Sequence, residues 1–249
     1  MTALRRIFTF AAVCAATHCG NSGIYDEALT EYYRVVRSGL NEWYPLNGNL
    51  NSRIGNAAGS ATASYSSGVN RAGESGKAVC TTTAEFLFAS ATIGTSPFTV
   101  SAWVKLNTLT AGPNSIIQKG RQQTGYLGFI VSQSGSTSWS MSYGEGSTTK
   151  NTTSSGVTAG VWYYLAFSYN GSTGIFYIGN YGANLTQLSA LPGAYNKETA
   201  TTEFQIFAPA STPPNPFGVS TMDACADDVL HYGRALSADE VKQNFLTLE

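Results

Sequence analysis

Two rhythms of apolar and polar positions run along the chain. Between Tyr25 and Leu40, Leu29, Tyr33, Val36 and Leu40 recur three or four residues apart, the spacing of one helical face, which predicts a short helix. From Trp43 the period shortens to two, and turn-forming residues interrupt it at intervals of about eight to twelve positions, the cadence of a β-sandwich or jelly roll. Phe98, Val100, Ala102, Val104 and Leu106 alternate with Thr99, Ser101, Trp103 and Lys105, so a one-residue slip would expose the whole apolar set and the register is firmly specified. Val161 to Tyr169 is apolar on both faces, with Val161, Tyr163, Leu165 and Phe167 opposite Trp162, Tyr164 and Ala166, which predicts a central strand covered on both sides. Asn170-Gly171 follows as a tight turn, and Ile175 to Ile178 returns as the hairpin partner.

Further strands are expected at Ser115–Lys119, Gly125–Ser132, Ser138–Tyr143, Glu203–Ala208 and Asp227–Tyr232. The Ser-, Thr-, Gly- and Asn-rich stretch within Ser136–Ser155, and the proline-broken stretch Ala208–Phe217, read as loops. Ser237-Ala238-Asp239-Glu240 has the arrangement of a capping box. Val241, Phe245 and Leu248 then make an apolar stripe, so a short helix should close the chain.

Ahead of these elements, Arg5 and Arg6 precede an apolar run from Ile7 to Ala16, the pattern of an export leader and too short to span a bilayer. Ala16-Thr17-His18-Cys19 resembles a lipobox, with His18 where a small residue is usual; the alternatives are lipidation of Cys19, ordinary leader cleavage and no cleavage. Residues 1–19 thus read as signal peptide and lipobox, 20–41 as a linker with a short helix, and 42–249 as the sandwich domain. An exported chain meets oxidising conditions, in which Cys80 and Cys225 either bridge or remain two separately buried thiols. A formal net charge of −1 and 12% charged residues leave no basic surplus for nucleic acid.

Four segments carry a resemblance: Trp43-Tyr44-Pro45-Leu46-Asn47-Gly48-Asn49; Phe98 to Lys105 around Trp103; Gly160 to Ala166 with Tyr169-Asn170-Gly171 and Phe176-Tyr177-Ile178; and Asp227 to Val241. In their order and spacing they resemble the laminin-G-like, concanavalin A-like lectin/glucanase superfamily over roughly Trp43 to Phe245. That resemblance implies an all-β, two-sheet antiparallel jelly-roll sandwich with its first and last strands side by side. It would also bring Cys80 and Cys225 together. Asn170 stands where the family often has Asp.

The superfamily includes retaining glucanases, which need two carboxylates about 5–5.5 Å apart. The glutamates stand alone in this sequence, and strand alternation would send Asp227 and Asp228 to opposite faces. His231 lies inside the closing strand with no Gly-x-Ser-x-Gly motif to serve it. The chain is therefore expected not to be an enzyme. The family often uses calcium, which takes oxygen ligands; Asp228, Asp227, Asp223 and Asn49 are the donors a first-strand/last-strand site would gather. Trp139, Tyr143 and Tyr126 fall on middle strands whose family counterparts line the more open sheet face, and are the candidate sugar-stacking residues. The reading is an exported, lipid-anchored, non-catalytic module on the outer membrane or cell surface, recognising glycan or extracellular matrix protein. A structural envelope lipoprotein binding a protein of its own cell, and a glycoside hydrolase, are the alternatives.

Overall fold

The computed structural model describes residues 34–55, 58–83, 85–89, 97–109, 114–119, 128–135, 137–196, 203–207 and 222–247. Sixteen strands and one helix follow in order: β1 (Leu40–Tyr44), β2 (Ser60–Ala61), β3 (Ser66–Val69), β4 (Ser75–Thr81), β5 (Phe86–Ala89), β6 (Phe98–Leu106), β7 (Asn114–Lys119), β8 (Phe129–Ser134), β9 (Ser138–Glu145), β10 (Thr148–Ser155), β11 (Trp162–Tyr169), β12 (Thr173–Asn180), β13 (Leu185–Gln187), β14 (Leu191–Pro192), β15 (Glu203–Ile206), β16 (Ala224–Tyr232) and α1 (Ala238–Leu246). They form two antiparallel sheets. A nine-stranded sheet runs β13-β12-β11-β6-β16-β4-β3, with β1 added to β16 and β14 to β12; a seven-stranded sheet runs β10-β9-β8-β7-β15-β5-β2.

The alternation in β6 and β11 sorts their side chains into two cores. Phe98, Val100, Ala102, Val104 and Leu106 of β6, with Tyr163, Leu165 and Phe167 of β11, face the seven-stranded sheet and join the main core. Trp103, Trp162, Tyr164 and Ala166 face the other way into a second core, closed by Val241 and Phe245 of α1. Every residue of β11 is buried, because the outer face of this sheet is itself covered. Thr99 and Ser168 on that covered face find backbone partners, as most buried polar groups do. Thr99 Oγ1 donates to the Arg234 carbonyl at 3.0 Å and accepts from the Leu236 N–H at 2.9 Å, while Ser168 Oγ donates to the Leu236 carbonyl at 3.1 Å.

The β11–β12 hairpin closes as expected, with Asn170 Oδ1 accepting from the N–H groups of Ser172 and Thr173. Gly171 takes φ +101° in this turn, a conformation that favours glycine. The capping box of α1 is formed in both directions between Ser237 and Glu240. Glu240 also receives both terminal nitrogens of Arg234, at 2.8 and 2.6 Å.

Two sequence expectations give way. The helix expected over Tyr25–Leu40 lies outside the described residues as far as Tyr33, and from Arg34 onward the chain is an extended strap leading into β1. Val35 and Val36 are buried there against α1. The strap's polar backbone is met by side chains: Val36 N–H donates to Asn244 Oδ1, and its carbonyl accepts from the Tyr232 hydroxyl. β9 covers the strand expected at Ser138–Tyr143, but the remainder of the stretch read as a loop within Ser136–Ser155 is its hairpin partner β10, turning at Gly146-Ser147 and paired residue for residue from Glu145↔Thr148 to Ser138↔Ser155. Its threonines are β-branched and suit a half-exposed strand, so polarity alone was a poor guide there.

Candidate functional site

β16 organises the most highly charged part of the interior. One of its edges pairs with β6; the other is shared, with β4 along Ala224–Ala226 and β1 along Val229–Tyr232. Cys80 and Cys225 are directly opposite on β4 and β16 and are joined by a disulfide that links residues 145 apart. Asp227 and Asp228 fall in the gap between the two partners. The register against β6 shifts between Asp227 and Leu230, and Asp228 takes φ +44°. This bulge cancels the alternation expected of a regular strand, so both carboxylates reach the same cation instead of opposite faces.

That cation is Arg71, in the turn between β3 and β4. Its Nη1 donates to Asp227 Oδ2 at 2.5 Å, and its Nη2 to Asp228 Oδ2 at 2.7 Å and to the Thr247 carbonyl at 2.8 Å. The guanidinium lies 4.9 Å from the Trp103 ring centroid, and Trp43 Nε1 donates to Asp228 Oδ1 at 3.0 Å. Asp227 and Asp228 are 1% and 3% exposed. Burial and the neighbouring Asp228 push the Asp227 carboxyl up to about 8, with Arg71 opposing the shift. Neither Arg71 nor Trp43 was a candidate site residue in the sequence. Arg71 sits in an Asn-Arg-Ala-Gly turn with no motif around it, and only the sheet order brings it to β16.

The four calcium candidates have other partners in the structure. Asp227 and Asp228 both accept from the Arg71 guanidinium. Asp223 Oδ1 accepts from Asn107 Nδ2 at 2.6 Å, and Asn49 turns back to bond the Asn51 N–H and the Asn47 carbonyl. Among the described residues no cluster of three or more His, Cys, Asp or Glu is placed to hold a metal. His231 is buried, with Nδ1 3.5 Å from Glu42 Oε2 on the neighbouring β1.

Two of the three aromatic candidates lie in the core. Trp139 and Tyr143 are both 0% exposed. With Met141 they form the inward row of β9, Trp139 packing edge-on against Tyr163 and Tyr143 stacking on Phe167. Neither can meet a sugar. Tyr126, like the lipidation candidate Cys19, lies outside the described residues.

The side chains alternating with that inward row point to the outer face of the seven-stranded sheet, and they are hydroxyls and amides. Ser140 of β9 lies beside Thr153 of β10 and Ser132 of β8, and Ser142 beside Asn151 and Ile130. Ser115 Oγ donates to Gln118 Oε1 at 2.8 Å, and Gln118 Nε2 to Gln205 Oε1 at 2.5 Å, which carries the polar row onto β15. Asn151 and Thr153 are exposed and Ser140 and Gln205 half-buried, whereas Ser132, Ser115 and Gln118 are buried. Such a row offers neutral hydrogen-bond donors and acceptors with no charge among them. A shallow cleft of about 170 Å³ opens where Ser154 and Ser155 of β10 approach Asn180 and Thr186. It is smaller than the roughly 300–1,000 Å³ of ordinary small-molecule pockets.

Comparison with known proteins gives this geometry a context. The pattern described as the concanavalin A-like lectin/glucanases superfamily matches residues 80–242. Domain 4 of an extracellular arabinanase from Geobacillus stearothermophilus, solved in complex with arabinotriose, is similar with a TM-score of 0.57 and 18% identity, over 84% of this chain and 98% of that one. The binding domain of botulinum neurotoxin DC, in complex with SialylT, is similar with a TM-score of 0.58 and 10% identity, over 84% of this chain and 51% of that one. Trypanosoma rangeli sialidase in complex with sialic acid gives 0.53 and 16%, over 85% of this chain and 33% of the sialidase. The chain therefore spans about a third of the sialidase and half of the toxin domain. A search of curated proteins finds no match.

Proposed function

Because the chain belongs to the concanavalin A-like lectin/glucanase superfamily, we propose that it is a carbohydrate-binding module that performs no catalytic step and recognises a neutral oligosaccharide on the outer face of the seven-stranded sheet. The observation that carries this reading is the uncharged hydroxyl and amide row, with Ser140, Asn151, Thr153 and Gln205 as its accessible members. Hydroxyl and amide groups match the donors and acceptors of a sugar ring without desolvating an ion. The carbohydrates bound by the arabinanase domain and by the toxin binding domain support a glycan ligand.

The absence of catalysis is argued from the only adjacent carboxylates that the fold brings to one cation among the described residues. Glycoside hydrolysis needs two carboxyl groups flanking a substrate bond, and Asp227 and Asp228 are spent on a buried guanidinium. The reading keeps the leader and Cys19 as export and lipid attachment signals, which would display the module on a membrane surface.

A glycan array with the folded chain, followed by calorimetry on the best neutral hit, tests the proposal. Ser140→Arg sets a long cation in the middle of the row at a half-buried site, and is expected to abolish binding while leaving the thermal midpoint nearly unchanged. An array without signal above background, or a ligand whose affinity ignores Ser140→Arg, removes the proposal. Hydrolysis of the bound glycan would overturn its non-catalytic part, and mass spectrometry of the mature N-terminus decides the fate of Cys19.

A further inference from the structure

The strands that end the two sheets are very unequal. β13 has three residues, β2 two, and β3 four with a register shift inside it. β10 has eight, and pairs with β9 without a single irregularity. Long regular edges present unpaired N–H and C=O groups, and folded proteins ordinarily blunt them with proline, bulges or charge. β10 reads Thr148-Thr149-Lys150-Asn151-Thr152-Thr153-Ser154-Ser155: it lacks proline and glycine, and the one charge, Lys150, is held by Glu145 at 2.9 Å.

The hairpin fixes which groups are free. A two-residue turn makes Glu145↔Thr148 a hydrogen-bonded pair, so Lys150, Thr152 and Ser154 also direct their N–H and C=O toward β9. Thr149, Asn151, Thr153 and Ser155 direct theirs away from it, and the last three are exposed.

We propose that β10 is a homodimer edge, pairing antiparallel with β10 of a second copy about a two-fold axis through Thr152. The four outward residues set this register. Thr149 faces the partner's Ser155 and Asn151 faces the partner's Thr153, giving roughly eight interchain backbone hydrogen bonds, two at each of four pairs. No other register of the same parity uses all four. Lys150 falls opposite the partner's Ser154, so no like charges meet. The two seven-stranded sheets become one continuous sheet, with both polar faces on the same side. The inference is independent of sugar binding, because it rests on backbone groups alone.

The test uses the purified full chain in sedimentation velocity across a concentration series, with cysteine crosslinking. Contacts of this size are weak, so the dimer is expected to emerge at roughly hundred-micromolar concentration. Thr152→Cys places two thiols on the axis at a non-hydrogen-bonded pair, about 4.5 Å apart at Cα, and is expected to crosslink on mild oxidation. Thr148→Cys, four residues from the axis, is not. Asn151→Lys with Thr153→Lys is expected to abolish self-association, and mixing that variant with the corresponding double Glu variant to restore a mixed dimer. A chain that stays monomeric to millimolar concentration, crosslinking equal at the two cysteine sites, or undiminished association of the double Lys variant overturns the proposal. Capture of a different protein's strand by a monomeric chain also overturns it.

Discussion

Replacing Arg71 by Met tests the account of the interior most sharply. The side chain is 1% exposed and holds Asp227, Asp228 and the Thr247 carbonyl at 2.5, 2.7 and 2.8 Å. Met fills most of the stem's volume against Trp103, so the change removes the charge and its donors more than the packing. Removing one partner of a buried ion pair costs about 3–5 kcal/mol, because the other partner is left charged and dry. Total stabilities are about 5–15 kcal/mol, so the loss should be a large fraction of the whole. With an m-value near 2 kcal/mol/M, the urea midpoint should fall by about 2 M.

The direction with pH follows from the same carboxylates. In the native chain, burial raises the Asp227 carboxyl from 3.8 to about 8. The folded state therefore holds a proton that the unfolded state releases, and stability should decline as pH rises across that window. Arg71 opposes that upward shift, so without it the Asp227 carboxyl rises further and the deficit of Arg71→Met should widen as pH climbs past about 8. Adding Asp227→Asn and Asp228→Asn should recover most of the loss. A midpoint that falls by less than about 0.5 M, or a deficit independent of pH, would refute the reasoning.

Other outcomes follow from single features. Replacing both Cys80 and Cys225 by Ser reopens a loop spanning 145 residues and should cost about 5 kcal/mol in the chain-entropy account, read as a urea midpoint compared with the oxidised protein. Gly68→Ala directs its methyl at the Cys80 sulfur on the adjoining strand, and should lower stability by about 1–3 kcal/mol, measured by thermal unfolding. Ser237→Ala removes one half of the capping box and should cost about 1 kcal/mol, visible as earlier fraying of α1 in amide exchange. Glu240, held down to about 2 by Arg234, should stabilise the chain above its unfolded value and lose that contribution as pH falls toward 2; Glu240→Gln should flatten this acid limb in pH-dependent unfolding.

Strands whose two faces differ in chemistry were legible in the sequence. β6 could be assigned residue by residue because a wrong register would turn Thr99 and Lys105 into the main core in place of Phe98 and Val104, while β11 was marked as central by apolar residues on both faces. The end of the chain was legible for a similar reason, since Ser237 and Glu240 answer each other locally. β10 was not, because its alternation runs between one hydroxyl and another and carries no hydropathic contrast. The aromatic residues of β9 illustrate a second limit. Periodicity put Trp139 and Tyr143 on one face, but which face is inward depends on the opposing sheet, and Tyr163 and Phe167 took them into the core. The Asp227–Asp228 bulge is a third case, in which a single positive φ reverses an inference drawn from regular alternation. Arg71 left no trace, because its partners lie 156 and 157 positions away.

The strap from Arg34 to Gly39 has a mechanical consequence. It is fastened to the closing helix by Asn244 and Gln243 and to the last strand by Tyr232, all behind the nine-stranded layer. Any pull on the upstream polypeptide is therefore delivered to the rear of the molecule, along β1 and into β16. The opposite surface, with its hydroxyls and its long border strand, carries none of these fastenings, so tension on the strap would leave it unloaded, as the palm of a hand is when the wrist is held.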